Sequence, residues 1–295
     1  MTRSSSILPL ADAVARYVSD GAAIALEGFT HLIPFAAGHE LIRQGRRELR
    51  LHRMTPDLVY DQLIGMGCAS ELVFSWGGNP GVGSLHRLRD AVEHGWPRPL
   101  TLHEHSHADL ANAYVAGASG LPFAVLRAYE GTDYPKYNPR IRSVVCPFTG
   151  EKLAAVPSIQ LDVAIIHAQQ ADLAGNVQLW GLSGVQKEAA LCAKRVIVTV
   201  EELVEQLELK PGGVILPRWT ISAVCHVPKG ASPSYAAGYY ERDNAFYLAW
   251  DERSRDREIF TAWMKAHVLE TADFEGYLAR LARSRLAAAS EAHAA

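Results

Sequence analysis

Between residues 22 and 116 four short apolar runs alternate with stretches of apolar residues at helical spacing, joined by turns of glycine or small polar residues. The apolar runs are 22–26, 49–54, 72–76 and 100–102. The spacing predicts helices over 35–44, 57–66, from the glycine-rich stretch 77–83 through His94, and over 109–116. A helix between two strands carries the chain back to the end of the sheet where the first strand began. Successive strands then run the same way. The pattern implies the α/β class: a mostly parallel central sheet flanked by helices. Ligands of such sheets bind beyond the carboxyl ends of the strands. The turn that follows each apolar run is therefore a candidate functional segment.

The rest of the chain is less regular. Leu10, Val14, Tyr17 and Val18 predict a first helix that Gly21 stops. Strands are expected at 153–156, 163–166 and 196–200, and a helix near 185–193. The strand at 163–166 runs into the polar residues His167, Gln169, Gln170 and Asp172. A Gly175-Asn176 turn follows, and then a second strand to Trp180. From 127 to 150 no periodicity survives. A long irregular loop of this kind is usually functional or mobile, and Tyr134, Lys136, Tyr137, Asn138 and Arg140 could lid a site or lie solvated on the surface. Beyond Pro217 the pattern is weak until Phe274, Tyr277, Leu278 and Leu281 mark a C-terminal helix. Its alanine-rich end, 287–295, is expected to fray. No repeat or linker divides the chain, so 1–295 reads as a single domain.

Charge and composition exclude several functions. A net charge of −3 offers no basic footprint for nucleic acid. Cys68, Cys146, Cys192 and Cys225 form no C-x-x-C, which removes a zinc ribbon and a redox motif and suits reduced thiols in the cytoplasm. Asp12, Arg16 and Asp20 interrupt any signal-peptide core, and nothing approaches the roughly 18 apolar residues of a membrane span. There is no G-x-S-x-G, no Walker A motif and no H-E-x-x-H.

Four segments carry candidate chemistry. Glu27-Gly28-Phe29-Thr30 follows a strand, and its glycine lets main-chain N–H groups approach a ligand or a developing oxyanion. It also reads as a plain strand-to-helix turn. Trp76-Gly77-Gly78-Asn79, with Gly81, Gly83 and Ser84, opens a helix and holds two-thirds of a dinucleotide fingerprint. His86 stands where its third glycine belongs, and Glu104 lies where a ribose-binding acid would sit. His103, His105 and His107 alternate around Glu104. Extended backbone would put three histidines on one face, as metal ligands or as a surface cluster, and Glu104 on the other. A carboxylate at a strand tip among apolar neighbours can serve as an acid or base, or as a structural acceptor at a subunit contact. Gln169 and Gln170 suit a ligand carboxylate or amide, or a local clasp.

The segment D-V-A-I-I-H-A-Q-Q at 162–170 closely resembles the class I coenzyme A transferases, in particular alpha subunits of the glutaconate type. The resemblance spans about Leu10 to about Tyr277 and includes A-G-A-S-G-L-P-F at 116–123. It implies the CoA-transferase/NagB-like fold, with no metal and no permanently bound cofactor. Coenzyme A and acyl-CoA enter as substrates, exchanged with a small or aromatic-derived carboxylic acid. It also implies a homologous beta subunit, in an α₂β₂ or larger assembly, that supplies the nucleophilic glutamate. By the resemblance, Gly28, Phe29 and Thr30 lie near the thioester oxyanion, while Trp76, the 77–83 loop and Glu104 lie on the acyl or pantetheine side. Glu27 replaces a glycine of the family, which places a carboxylate beside that oxyanion and marks a different substrate. Two alternatives stay open. One is an acyl-CoA hydrolase of the same superfamily, including ring- and C–C-cleaving types, with Glu104 as acid/base. The other is a non-catalytic nucleotide-binding protein of related fold.

Overall fold

The computed structural model describes residues 6–294. The chain opens with β1 (Ser6–Ile7) and α1 (Leu10–Tyr17). The four strand–helix units follow: β2 (Ala23–Glu27) with α2 (Phe35–Arg43), β3 (Leu49–His52) with α3 (Leu58–Gly65), β4 (Ala69–Phe74) with α4 (His86–Glu93), and β5 (Thr101–Glu104) with α5 (His107–Ala118). Next come β6 (Phe123–Leu126), α6 (Tyr134–Tyr137), β7 (Arg142–Val145), β8 (Lys152–Pro157), β9 (Leu161–Asp172), β10 (Val177–Leu179) and α7 (Gln186–Leu191). The remainder is β11 (Ala193–Val204), β12 (Val214–Leu216), β13 (Ala223–His226), α8 (Asn244–Arg255), α9 (Arg257–Met264) and α10 (Phe274–Ala294).

The main sheet runs β1-β13-β11-β9-β2-β3-β4-β5, and every neighbouring pair on this path is parallel. From β2 the chain moves outward to β5. It then returns to place β9 on the other side of β2 and moves outward again to β13. The order therefore reverses between β2 and β9, the place where open parallel sheets leave a crevice for ligands. Both strands are buried almost throughout. One face of the sheet packs Ile24, Leu26 and Leu51 against α1–α4 and α8–α10. The other packs Ala25, Val73 and Ile166 against α5, α7 and the small sheet described next. The molecule is one α/β domain.

Three expectations need correction. The stretch 127–150, read as irregular, contains α6 and β7, and β7 joins β6 and β8 in an antiparallel sheet of order β6-β8-β7. That strand is exposed along most of its length, so no apolar alternation announces it. The strand read as 163–166 runs from Leu161 to Asp172. Its polar half keeps pairing, His167 with Thr199 and Gln170 with Glu202, so these residues lie within the sheet and not beyond it. The silent region after Pro217 holds β13, α8 and α9. Of the tail 287–295, residues through Ala294 are assigned to α10, and Ala295 lies outside the described residues.

The C-terminal helices lock the first half of the sheet. Phe246 stacks on Trp250, and Trp250 meets Trp263 edge-on with ring centroids 5.3 Å apart. The Trp250 indole donates to Asp61 Oδ2 at 3.1 Å. Asp61 Oδ1 in turn accepts the main-chain N–H groups of Arg87 and Leu88. Leu85, before α4, offers no side-chain cap, so α3 caps α4 through Asp61. Burial pushes the Asp61 carboxyl up to about 6 against the pull of these donors. Removing it strands three buried N–H groups. Asp61→Ala is expected to lower unfolding free energy by roughly 3 kcal/mol or more in urea titrations. A loss below about 1 kcal/mol contradicts this capping role.

Candidate active site

The turns after β2, β3, β4 and β5 meet at one cleft of about 360 Å³. Phe29 and Thr30 reach it from β2, Thr55 and Asp57 from β3, Trp76, Pro80 and Gly81 from β4, and His107 from the first turn of α5. The N-termini of α3 and α5 open on the same rim, where helix dipoles favour negative charge.

The turn after β2 is the most constrained part. Thr30 and Leu32 have φ of 56° and 54°, left-handed values that cost non-glycine residues of order 1–3 kcal/mol each. A Cβ on Gly28 would sit 2.7 Å from the Leu32 carbonyl oxygen, so this turn closes only with glycine there. From below, the fully buried Arg53 holds the turn. It donates to Leu26 O at 2.8 Å, Gly28 O at 2.9 Å and Asp57 Oδ2 at 3.1 Å. Burial opposes charge on Arg53, but the Asp57 carboxylate keeps the guanidinium protonated. Asp57 Oδ1 also caps α3 through the Val59 N–H. From above, Ser234 Oγ donates to Thr30 O at 2.8 Å and the Leu32 N–H donates to Tyr235 O at 3.0 Å. Among the described residues, the main-chain N–H groups of Phe29 and Thr30 have no protein acceptor. Unpaired main-chain donors in a constrained turn that lines a cleft are the chemistry an anion or a developing oxyanion requires.

Other sequence candidates fall inside or beside this cleft. Trp76 lines it with 45% of its surface exposed. A Cβ on Gly78 would sit 2.7 Å from the Trp76 ring, so the glycine lets the indole fold over its own loop. Gly81 lines the cleft at φ 78°. Asn79 turns inward: its side chain is buried, Nδ2 donates to Tyr247 O at 2.8 Å, and its main chain exchanges two hydrogen bonds with Gly83. It shapes the loop instead of facing the cleft. Gly77, Gly83 and Ser84 are likewise outside the lining.

Glu104 ends β5 exposed to solvent, not among apolar neighbours. Its carboxylate accepts from the Tyr134 hydroxyl at 3.3 Å and its carbonyl from Asn138 Nδ2 at 2.7 Å. It is not part of the cleft lining. The histidines around it diverge because extended backbone stops at Glu104. His103 turns to Glu71, His105 is buried against Asp109 at 2.6 Å, and His107 begins α5. Among the described residues no group of three or more His, Cys, Asp or Glu side chains is placed to hold a metal ion. Gln169 is buried and clasps Trp180 with both ends of its amide, and Gln170 donates to Glu202. Neither lines the cleft. Arg53, Thr55, Asp57 and the cleft position of His107 escape the sequence reading. Asp57 alone had a local signal, a capping residue just ahead of a helical run.

Glu27 is buried and is not part of the cleft lining. It is 2% exposed and accepts from the Tyr114 hydroxyl at 2.9 Å and the Met54 N–H at 3.3 Å. Burial pushes its carboxyl up to about 7, against the opposing pull of Arg53 and these donors. Between the ordinary value of 4.5 and about 7 the folded chain holds a proton that the unfolded chain releases, so stability falls as pH rises through this window. Glu27→Gln keeps the two acceptor contacts and removes the penalty. Its melting temperature is expected to exceed that of the parent at pH 8, by a gain of up to ~3 kcal/mol, and to match it at pH 4. A gain equal at both pH values contradicts this assignment.

Similarity to known proteins agrees with this architecture. The sequence matches the Coenzyme A transferase family over residues 7–226. It is 66% identical over 281 residues to the A-type chain of the 3-oxoadipate CoA-transferase of Pseudomonas knackmussii, covering 95% of this chain and 100% of that one. It is 35% identical over 302 residues to the A-type chain of the glutaconate CoA-transferase of Acidaminococcus fermentans, covering 96% and 93%. The fold superposes on the crystal structure of glutaconate coenzyme A-transferase from Acidaminococcus fermentans with a TM-score of 0.86 and 32% identity, over 96% of this chain and 94% of that one. A family match across most of the sequence, two alpha-type subunits matched nearly end to end and a shared fold lead to one assignment: this chain belongs to the coenzyme A transferase family, as an alpha-type subunit.

Proposed function

We propose that this chain works with a homologous beta subunit to exchange CoA between an acyl-CoA and a short dicarboxylic acid of the 3-oxoadipate kind. The observation that carries this reading is the 66% identity to the alpha-type chain of a 3-oxoadipate CoA-transferase along the full length of that protein. That likeness is greater than the 35% to the glutaconate enzyme. The cleft supports a divided active site. Asp57 is the one carboxylate lining it among the described residues, and Asp57 is committed to Arg53 and to the start of α3. The attacking glutamate is therefore assigned to the beta subunit.

In this mechanism that glutamate adds to the thioester carbonyl carbon, the C–S bond breaks, and CoA leaves as thiolate from an acyl–glutamyl anhydride. The thiolate then attacks the glutamyl carbonyl and releases the acyl group as a free carboxylate. The acceptor acid attacks the resulting glutamyl–CoA thioester and forms a second anhydride. Returning thiolate converts that anhydride to the new acyl-CoA and frees the glutamate. Every intermediate is a thioester or an anhydride, so no step requires an outside energy source. Each addition puts negative charge on a carbonyl oxygen. The Phe29 and Thr30 N–H groups hold that charge, with Gly28 permitting the turn. Trp76 and Gly81 form the wall for the acyl or pantetheine portion, and Gly77 and Gly78 shape the loop behind them. Glu27, Asn79, Gln169 and Gln170 act from behind as supports. Glu104 is not assigned a catalytic step, because its carboxylate sits outside the cleft against Tyr134.

Co-expression with a beta-type chain and assay against a panel of acyl-CoA donors and free acids tests this reading. Transfer to 3-oxo dicarboxylic acids is expected to exceed transfer to glutaconate, and this chain purified by itself is expected to be inactive. Full activity of the isolated chain, or thioester cleavage that needs no acceptor acid, contradicts it. Glu104→Ala separates the transferase from the hydrolase. The transferase reading expects less than about a tenfold loss of kcat, whereas loss of a general acid or base costs about 100- to 10,000-fold.

A further inference from the structure

The polar half of β9 lies away from the cleft lining, yet it is linked to the turn after β2 through a short strap of chain, residues 229–240. His167 and Glu201 stand on adjacent strands, both buried, with Nε2 and Oε1 2.6 Å apart. The other ring nitrogen of His167 meets Thr199 Oγ1 at 2.8 Å. Glu201 also grips both ends of the strap. It accepts the Lys229 main-chain N–H and the Tyr240 hydroxyl, each at 2.6 Å. Tyr240 in turn accepts the Ala231 N–H at 3.1 Å. A Cβ on Gly230 would lie 2.9 Å from the His167 ring, so the strap packs directly on that imidazole.

Between those two ends the strap clamps the strained turn at three points. Ser234 Oγ donates to Thr30 O, Tyr235 O accepts from the Leu32 N–H, and the Ala237 N–H donates to His31 Nε2. That last bond places the His31 ring proton on Nδ1, which faces Leu182 O at 3.1 Å. Thr30 and Leu32 are the residues held in left-handed conformation. Strained backbone of this kind persists only when its surroundings over-determine it. The strap supplies three of those restraints, and Glu201 is the side chain that fastens both strap ends to the sheet.

We propose that Glu201, seated by His167, is a positioning residue for transfer: it tensions the 229–240 strap so that the Phe29 and Thr30 N–H groups stay aimed at the developing oxyanion. This role rests on the oxyanion function given to that turn above. Glutamine at 201 puts an N–H group opposite donors that need acceptors, so the clamp loosens while its shape is kept.

The test uses the assembled alpha–beta complex. Glu201→Gln is expected to lower kcat by about 10- to 100-fold with little change in KM for acyl-CoA, as misplacement of a transition-state contact does. Ser234→Ala, which cuts the same line at Thr30, is expected to lower kcat alone, and the double variant to lose no more than the more impaired single variant. Hydrogen exchange of the peptide covering residues 28–34 is expected to rise in each. A folded, assembled Glu201→Gln complex with parental kcat, additive losses in the double variant, or unchanged exchange in 28–34 each overturns the proposal. Should Glu201→Gln fail to assemble, Tyr240→Phe and Ser234→Ala decide the question by the same readouts. If the parent complex transfers no CoA at all, the transferase reading falls, while the exchange measurement still decides whether Glu201 restrains the turn.

Discussion

One buried guanidinium joins the parts of this molecule that matter for chemistry. Arg53 leaves the end of β3 and bonds the carbonyl of Leu26 near the end of β2, the glycine of the turn and the cap of α3. It stacks over the Tyr60 ring, whose hydroxyl donates to His52 O and accepts the Leu26 N–H. Two adjacent parallel strands and the helix entries that follow them are thereby held in one geometry. Truncating either charged partner would leave the other buried and uncompensated, a loss of roughly 3–5 kcal/mol. The turn can hold two left-handed residues because Arg53 fixes it from the sheet side while the 229–240 strap fixes it from the other.

A parallel sheet explains why this fastening produces a site. All crossovers from β2 to β5 leave at the same edge, and the reversal of order between β2 and β9 keeps a helix from closing over that edge. Among the described residues the resulting cleft has unpaired main-chain N–H groups at Phe29 and Thr30 and one lining carboxylate, Asp57. That balance suits a protein that stabilises charge without supplying a nucleophile. The polar groups that resemble catalytic ones, Glu27, Asp57, Asp61 and Glu201, are each buried with named donors. They hold turns, caps and straps in place. Their perturbed ionisation follows from that structural work as readily as from catalysis.

Much of this was legible in the sequence. The four strand–helix units appear as a change of period from run to helix, and the turns that line the cleft are the turns expected to carry ligands. Phe29, Thr30, Trp76 and Gly81 line one cleft. What stayed hidden is non-local. The direction in which Asn79 or Gln169 points depends on partners at Tyr247 and Trp180, and no local pattern names them. Glu27 reads as a ligand contact, and its bond from the Tyr114 hydroxyl joins residues 87 apart in sequence. The aromatic seam of α8 and α9 is masked by the charges between its members, among them Asp251, Arg253, Arg255 and Arg257. β7 lacks alternation because most of its side chains face solvent. Family resemblance supplied the reaction. Physical patterning supplied the sheet and the edge where that reaction belongs.

In the proposed division of labour, this chain would contribute the pocket and the oxyanion donors, and a partner subunit the attacking carboxylate. Trapping the covalent intermediate in the assembled complex with borohydride, then mapping the reduced residue by peptide mass spectrometry, reads that division directly. A reduced glutamate on the beta subunit, with every peptide of this chain unmodified, is the predicted result. A reduced carboxylate on this chain, at Asp57, Glu104 or elsewhere, would contradict the account.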